Sequence, residues 1–302
     1  MTSHAKVIGI DGKESHTIEL PSIFETPFRY DVIHKVYVNL LSHSFQRQGR
    51  YPMAGEVVSA ESRNTGLGIA RIARAKGEGF SRAGQAAGVA SIRQGRVPHP
   101  PESWKNIYKR VNDKEKHLAL CSAIAATARK DLVERRGHKV SDISSFPLIV
   151  SDAIESISKT KDLLSVLRAL GLRQELDRVD HTQKARSGTA KRRGRRGYSA
   201  ASAIIVVGGG SSSSSSRTDY SDEDGRHKNN KKKKNKNKDI INLSRSVPGV
   251  DVKEVKNLSV LDLAPGSKPI RLTIFSESAI QELNNRKKPA MQKIMEMMIQ
   301  SK

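Results

Sequence analysis

The sequence predicts an α/β fold, a mainly parallel sheet with flanking helices, joined to a long extended arginine-rich loop. Three observations predict it. The continuous apolar runs FPLIV at 146–150 and SAIIVV at 202–207 have the composition of strands buried on both faces, the state that parallel sheets impose. Stretches with apolar residues at helical spacing alternate with these runs, the order that crossover connections require. Residues 66–104 follow neither period: glycines at 66, 68, 77, 79, 84, 88 and 95 oppose helix and strand alike.

Taken in order, the chain opens with KVIGID and TIEL, two short strands separated by the turn signal Asp11-Gly12. After Pro27, Val32, Ile33, Val36, Leu40, Leu41 and Phe45 recur at helical spacing, with Asp31 as cap, giving a helix of about four turns. From Gln46 the chain leaves the globule and returns at Trp104 to Arg110. Asn112-Asp113-Lys114-Glu115 reads as a helix start, and the apolar side of Leu118, Leu120, Cys121, Ile124, Ala125, Ala128, Leu132 and Val133 carries one long helix to Gly137. FPLIV is the next strand. Leu163, Leu164, Val166, Leu167 and Leu170 then form the stripe of a helix over 159–170 that Gly171 stops. SAIIVV, a strand at 270–275 and a helix from Glu277 towards Asn284 complete the pattern, that of a Rossmann-like three-layer domain. Residues 1–65 and 105–302 are thus expected to form the globular domain, 66–104 the loop, and 208–238 a low-complexity disordered insertion. Deleting 209–238 is expected to leave folding intact.

Charge sets the partner class. The chain of 302 residues carries 54 Lys and Arg against 31 Asp and Glu, a formal net charge of +23, which favours nucleic acid over a small molecule. A membrane partner is not expected, because no basic helix bears an amphipathic Trp or Phe face and the longest apolar run, Ala203 to Val207, is far too short to span a bilayer. The start lacks the apolar core of a signal peptide, so a soluble, intracellular protein is expected. Cys121 has no second cysteine to pair with and reads as a small buried residue. The nine histidines have no metal-ligand spacing, and neither a metal nor a cofactor is expected.

Within 66–104, Arg71, Arg74, Lys76, Arg82, Arg93 and Arg96 are opposed only by Glu78 and Glu102. A long loop in a compact domain is functional or disordered, and the Arg-Gly-Ala bias favours function. Arginine's planar fork binds phosphate and stacks on bases, while glycine admits a sugar-phosphate chain close to the backbone. A second basic segment holds Lys184, Arg186, Lys191, Arg192, Arg193, Arg195 and Arg196 with no acidic residue from His181 to Gly197. Such a run is either a solvated surface or a second phosphate-contacting loop, and the mutual repulsion of its cations favours the latter. Aromatic residues make up only 4% of the chain, so arginine planes and shape must carry RNA recognition. Trp104 either stacks on a base or packs at the base of the loop.

Enzymatic motifs fail on inspection. Gly66-Leu67-Gly68 begins like a dinucleotide fingerprint, but Arg71 takes its third small position and no carboxylate ends a second strand about twenty residues on. Asp11-Gly12-Lys13 lacks the flanking residues of a phosphate-binding loop, and no nucleophile has a paired base. A catalytic role is not expected. Isolated Asp and Glu residues read as ordinary surface groups.

Several motifs in one order carry a resemblance. They are GLGIARIAR at 66–74, SRAGQAA at 81–87, Gly95-Arg96, Pro100 to Trp104, Asn112 to Glu115, SAIAATA at 122–128, Leu263-Ala264-Pro265-Gly266 and LTIFSESA at 272–279. Over nearly its whole length the chain resembles the large-subunit ribosomal protein L-four family, in its archaeal and eukaryotic branch. The resemblance implies a structural constituent of the large ribosomal subunit that binds rRNA, supports assembly and lines part of the nascent-peptide exit tunnel. Together with the charge of the two basic segments it gives an expected rRNA-binding set of Arg63, Arg71, Arg74, Lys76, Arg82, Gln85, Arg93, Arg96, Trp104, Lys105, Lys184, Arg186, Lys191, Arg192, Arg193, Arg195 and Arg196. By position, Arg74, Lys76, Gly77, Glu78, Gly79 and Arg82 are implied to line the tunnel at the loop tip. The partners implied are large-subunit rRNA, neighbouring large-subunit ribosomal proteins and the nascent peptide. The Ser/Lys-rich insertion departs from the family pattern, and the absence of a long C-terminal extension points to an archaeal type. The alternative is an RNA- or DNA-binding protein outside the ribosome.

Overall fold

The turn signal Asp11-Gly12 folds β1 (His4–Ile8) back on β2 (Glu14–Glu19) as an antiparallel pair. Gly12 takes a φ of +77°, which glycine adopts without strain, and its N–H bonds Gly9 O at 3.1 Å. The computed structural model describes residues 4–195, 197–208, 236–268 and 270–285. It divides the chain into two units, 1–40 with 110–302, and 41–109.

In the first unit, α1 (Tyr30–Leu41) buries Ile33 and Val36. Asp31 does not cap it: it sits in the first turn, and its carboxylate meets Arg29 at 2.7 Å on the surface. The second unit holds a small antiparallel pair, β3 (Ala60–Ser62) with β4 (Ala73–Ala75).

The long helix read from 113 to 137 is two helices, α2 (Asp113–Thr127) and α3 (Lys130–Arg135). Ala128 and Arg129 tighten to i−3 bonds on Ala125 and Ala126, and Arg129 then turns extended. The second half of α2 is buried all round instead of along one side, because Ala119, Ala123 and Ala126 let neighbouring elements approach closely. Ser122 Oγ accepts the Arg29 N–H at 2.8 Å and donates to Pro27 O at 3.1 Å, tying the entrance of α1 to this helix.

The sheet core is built from β5 (Leu148–Val150), β6 (Ile204–Val207) and β8 (Thr273–Ser276), every residue of which is buried. Between β5 and β6 lie α4 (Thr160–Ala169), α5 (Arg173–Thr182) and the short α6 (Gly188–Arg192). After α7 (Lys236–Ser244), β7 (Asp251–Glu254) and α8 (Val260–Leu263) precede β8, and α9 (Glu277–Asn285) follows it directly. The six strands are ordered β2-β1-β5-β8-β6-β7, all parallel except β2. The last strand therefore enters the centre of the sheet, and Phe275 on it meets Phe24 edge-on at 5.9 Å. Each such large apolar side chain contributes about 1.5–3 kcal/mol on burial.

Gly171 stops α4 as its sequence position implies: its φ is +81°, its N–H bonds Arg168 O, and the Leu172 N–H reaches back to Leu167 O. Of the segment read as a disordered insertion, residues 209–235 lie outside the described residues, whereas 236–238 open α7. Gly208 is also placed, its N–H donated to Glu155 Oε1 and to Ser276 Oγ.

Glu175 corrects the reading of acidic residues as surface groups. It is fully buried, with its Oε1 2.7 Å from His138 Nδ1 and its two oxygens held by Arg178, Ser202 Oγ and the Lys139 N–H. Beside it, buried Arg271 donates to Ser202 O and Gly249 O and pairs with Asp251 at 2.6 Å. These groups hold the segments entering β6, β7 and β8 together.

Candidate nucleic-acid interface

Eleven Lys and Arg against four Glu give residues 41–109 a strongly basic character. The only buried residue of this unit is Ser42. Phe45, Tyr51, Met53, Val57, Leu67, Phe80 and Trp104 are all exposed. Its order comes from backbone pairing and polar contacts.

At the base, the outgoing and returning chains are clasped. His43 stacks on Tyr108 at 5.5 Å, Arg47 lies 5.2 Å from the same ring, His43 Nε2 is 3.0 Å from Lys109 O, and the Lys109 N–H donates to Ser42 Oγ. Further out, a Cβ on Gly55 would lie within 2.6 Å of the Gly95 backbone, so the two directions of chain touch where no side chain fits. Beyond that, β4 is flanked by β3 on one side and by 84–87 on the other, with Ala75 N–H on Gln85 O and Ala87 N–H on Ala73 O. This short pairing places one three-residue strand within 66–104, the segment whose glycines predict an extended or looped backbone. Local β propensity is poor here, and the pairing rests on the two flanking segments, 60–62 and 84–87.

Two turns project from opposite ends of β4. The first, 63–72, exposes Arg63, Leu67, Ile69 and Arg71 and is closed by Ser62 Oγ on Arg71 O at 2.7 Å. The second, 76–83, exposes Lys76, Gly77, Glu78, Gly79 and Phe80. Gly66, Gly68, Gly79 and Gly84 have open space where a Cβ would stand, so a ligand backbone can approach them.

The sequence-derived residues separate by what they touch. Arg74 is half-buried and donates to Gly84 O at 3.0 Å. Arg82 bonds Gln94 Oε1 and Arg93 O, holding the second turn to the returning chain. Gln85 is exposed and donates to Ser81 O. Lys76 pairs with Glu61, and Arg96 with Glu56 at 3.6 Å; both acids precede residue 66, so they add to Glu78 and Glu102 as counter-charges. Such exposed pairs stabilise by about 0–1 kcal/mol and yield readily to phosphate. Arg93 and Lys105 are exposed, and Trp104 is 67% exposed.

The second basic segment lies in the other unit. Lys184 and Tyr198 exchange both backbone hydrogen bonds at 3.0 and 2.8 Å, closing a turn that contains α6. Lys184, Arg186, Lys191, Arg192, Arg193 and Arg195 are exposed around it, and Arg192 donates to Thr189 Oγ1. Arg196 lies outside the described residues.

The carboxyl ends of the parallel strands, where nucleotide-binding α/β proteins hold phosphate, are filled by the chain's own acids. Asp152 Oδ1 takes the Ser278 N–H at the start of α9, and Glu155 Oε1 takes Ser278 Oγ at 2.6 Å together with the Gly208 N–H. A phosphate there would meet two carboxylates. Among the described residues, no group of three or more His, Cys, Asp or Glu is arranged to hold a metal, and no helix is long and apolar enough to cross a membrane.

Residues 18–286 match the model of the ribosomal protein L4/L1 family. The chain is 38% identical over 284 residues to large ribosomal subunit protein uL4 of Methanococcus vannielii, covering 94% of this chain and 99% of the relative. It is 35% identical over 280 residues to large ribosomal subunit protein uL4 of Saccharolobus islandicus strain M.14.25, covering 93% of each.

Proposed function

Since the chain belongs to the ribosomal protein L4/L1 family, we propose that it is a structural, non-catalytic constituent of the large ribosomal subunit, acting in the cytoplasm by binding rRNA. The observation that carries this is the unit 41–109: strongly basic, with Ser42 its one buried residue and no apolar core of its own. Ordering a chain costs about 1–2 kcal/mol per residue in backbone entropy, and burial within this unit does not supply it. A polyanion wrapped by the unit does. It neutralises the cations, covers the exposed aromatic and aliphatic side chains and restrains both turns.

In this reading 66–104 penetrates the rRNA, and the basic segment 184–196 is a second phosphate contact. The rRNA-binding set comprises the exposed cations with Gln85 and Trp104, whereas Arg74 and Arg82 shape the loop as well as contributing charge. The exposed turns bear the residues that reach the exit tunnel and the nascent peptide, with Lys76 to Gly79 among them. Neighbouring large-subunit proteins contact the globular domain, whose parallel strands and helices support a Rossmann-like three-layer description. Segment 208–238 is read as an insertion outside this machinery.

The test is the salt dependence of binding between the full-length protein and large-subunit rRNA. With about 6 to 10 phosphates contacted, affinity falls about 10³- to 10⁵-fold between about 50 and 200 mM salt. Binding that is insensitive to salt would contradict the assignment.

A further inference from the structure

Between the second turn and the returning chain lies an open groove of about 330 Å³, lined by Val58, Lys76, Phe80, Gln85, Arg93 and Gln94 among others. Its volume is at the lower end of the range for small-ligand pockets, about 300–1,000 Å³. We propose that this groove holds one unpaired RNA nucleotide, its base stacked on Phe80 and its phosphates met by Lys76 and Arg93. The proposal rests on the rRNA-binding reading and adds to it a site for a single splayed-out base.

The aromatic wall is the first argument. Phe80 is 48% exposed although it stands among cations, and Val58, which also lines the groove, is exposed to the same extent. Gly77 leaves room for the ring: a Cβ there would lie 3.1 Å from Phe80 Cε1, so the ring edge rests on the backbone of the turn. The turn thus backs one edge of the ring. An exposed aromatic face between arginines and a lysine is the arrangement that single-stranded RNA uses for stacking.

The polar lining is the second. Arg82 is committed to Gln94 Oε1 and Arg93 O, which fixes the far wall against the turn. Gln94 therefore keeps its amide NH₂, and Gln85, whose own NH₂ donates to Ser81 O, keeps its amide oxygen. The groove thus offers a donor and an acceptor. Base edges carry both, whereas a phosphate carries only acceptors.

The test uses the full-length protein and RNA strands of about ten nucleotides, within the site sizes of single-strand binders, with a central 2-aminopurine, single-stranded or annealed to their complement. The wild type is expected to bind the single strand more tightly than the duplex and to change its 2-aminopurine fluorescence. Phe80→Ala is expected to lose about tenfold in single-strand affinity and the fluorescence change, with the slope of log K against log salt unaltered. Phe80→Tyr is expected to restore both, which separates stacking from misfolding of the turn. Unchanged single-strand binding and fluorescence in Phe80→Ala would overturn the nucleotide site while leaving the rRNA reading intact. Absence of salt-dependent binding to strand and duplex alike in the wild type would overturn both.

Discussion

His138 Nδ1 lies 2.7 Å from Glu175 Oε1, with both side chains sealed from solvent. The Leu272 N–H donates to His138 Nε2 at 3.3 Å, so the ring proton is on Nδ1 and the imidazole is neutral. Burial pushes the imidazole below its ordinary 6.5. Burial alone would raise the Glu175 carboxyl, but the hydrogen bonds from Arg178 and His138 outweigh it and hold the group down at about 2.

Both shifts act in one direction on stability. Each group binds its proton more weakly folded than unfolded, so stability is greatest at neutral pH and falls on acidification. The loss begins near 6.5, where the unfolded histidine protonates, and steepens below about 4.5, where the unfolded glutamate does. Urea midpoints measured from neutral pH down through both values should trace this decline. Replacing His138 with Gln should flatten the upper part of the curve and leave the lower part in place.

Glu175→Ala should destabilise the globular unit by about 3–5 kcal/mol, because it leaves Arg178 and His138 without their buried partner. Chemical denaturation at neutral pH reads this directly. The cost should shrink when Arg178 is also replaced, since the uncompensated charge is then removed.

Gly171→Ala should cost about 1–3 kcal/mol, through its positive φ and a Cβ placed 2.7 Å from Asp142 O. The same substitution at Gly137, whose φ is +97° but whose Cβ would meet nothing, should cost less. Thermal melts of the two variants give the comparison.

The globular strands were legible in the sequence because their signal is local. FPLIV and SAIIVV are apolar on consecutive residues, a pattern only burial on both faces requires, and both runs contain central strands. The edge strand β7 was not legible: DVKE buries Val252 alone and has no run to announce it. Nor was α5, whose RQELDRVDHT is mostly polar because it faces the Glu175 network and solvent. In the loop, counting charge and glycine picks out Arg71 and Arg93, which are exposed, and Gly66, Gly68, Gly79 and Gly84, which have open space beside them. It passed over Phe80 and Gln94, which matter only because the chain returns beside the turn, a contact that sequence spacing does not encode.

In rRNA binding, replacing Lys191 and Arg193 with Ala should each reduce the slope of log K against log salt by about 1, since both are exposed and neither has an ion-pair partner among the described residues. Arg82→Ala should behave differently. It releases the returning chain at Arg93 and Gln94, so single-strand affinity should fall by more than one phosphate contact explains.

The most direct measurement is sedimentation of cell extract through a sucrose gradient in moderate and then high salt, following this protein by immunoblot. A structural constituent of the large ribosomal subunit should migrate with that subunit and stay there after the high-salt wash. Recovery only at the top of the gradient in both conditions would contradict this and put a nucleic-acid-binding protein that acts outside the ribosome in first place.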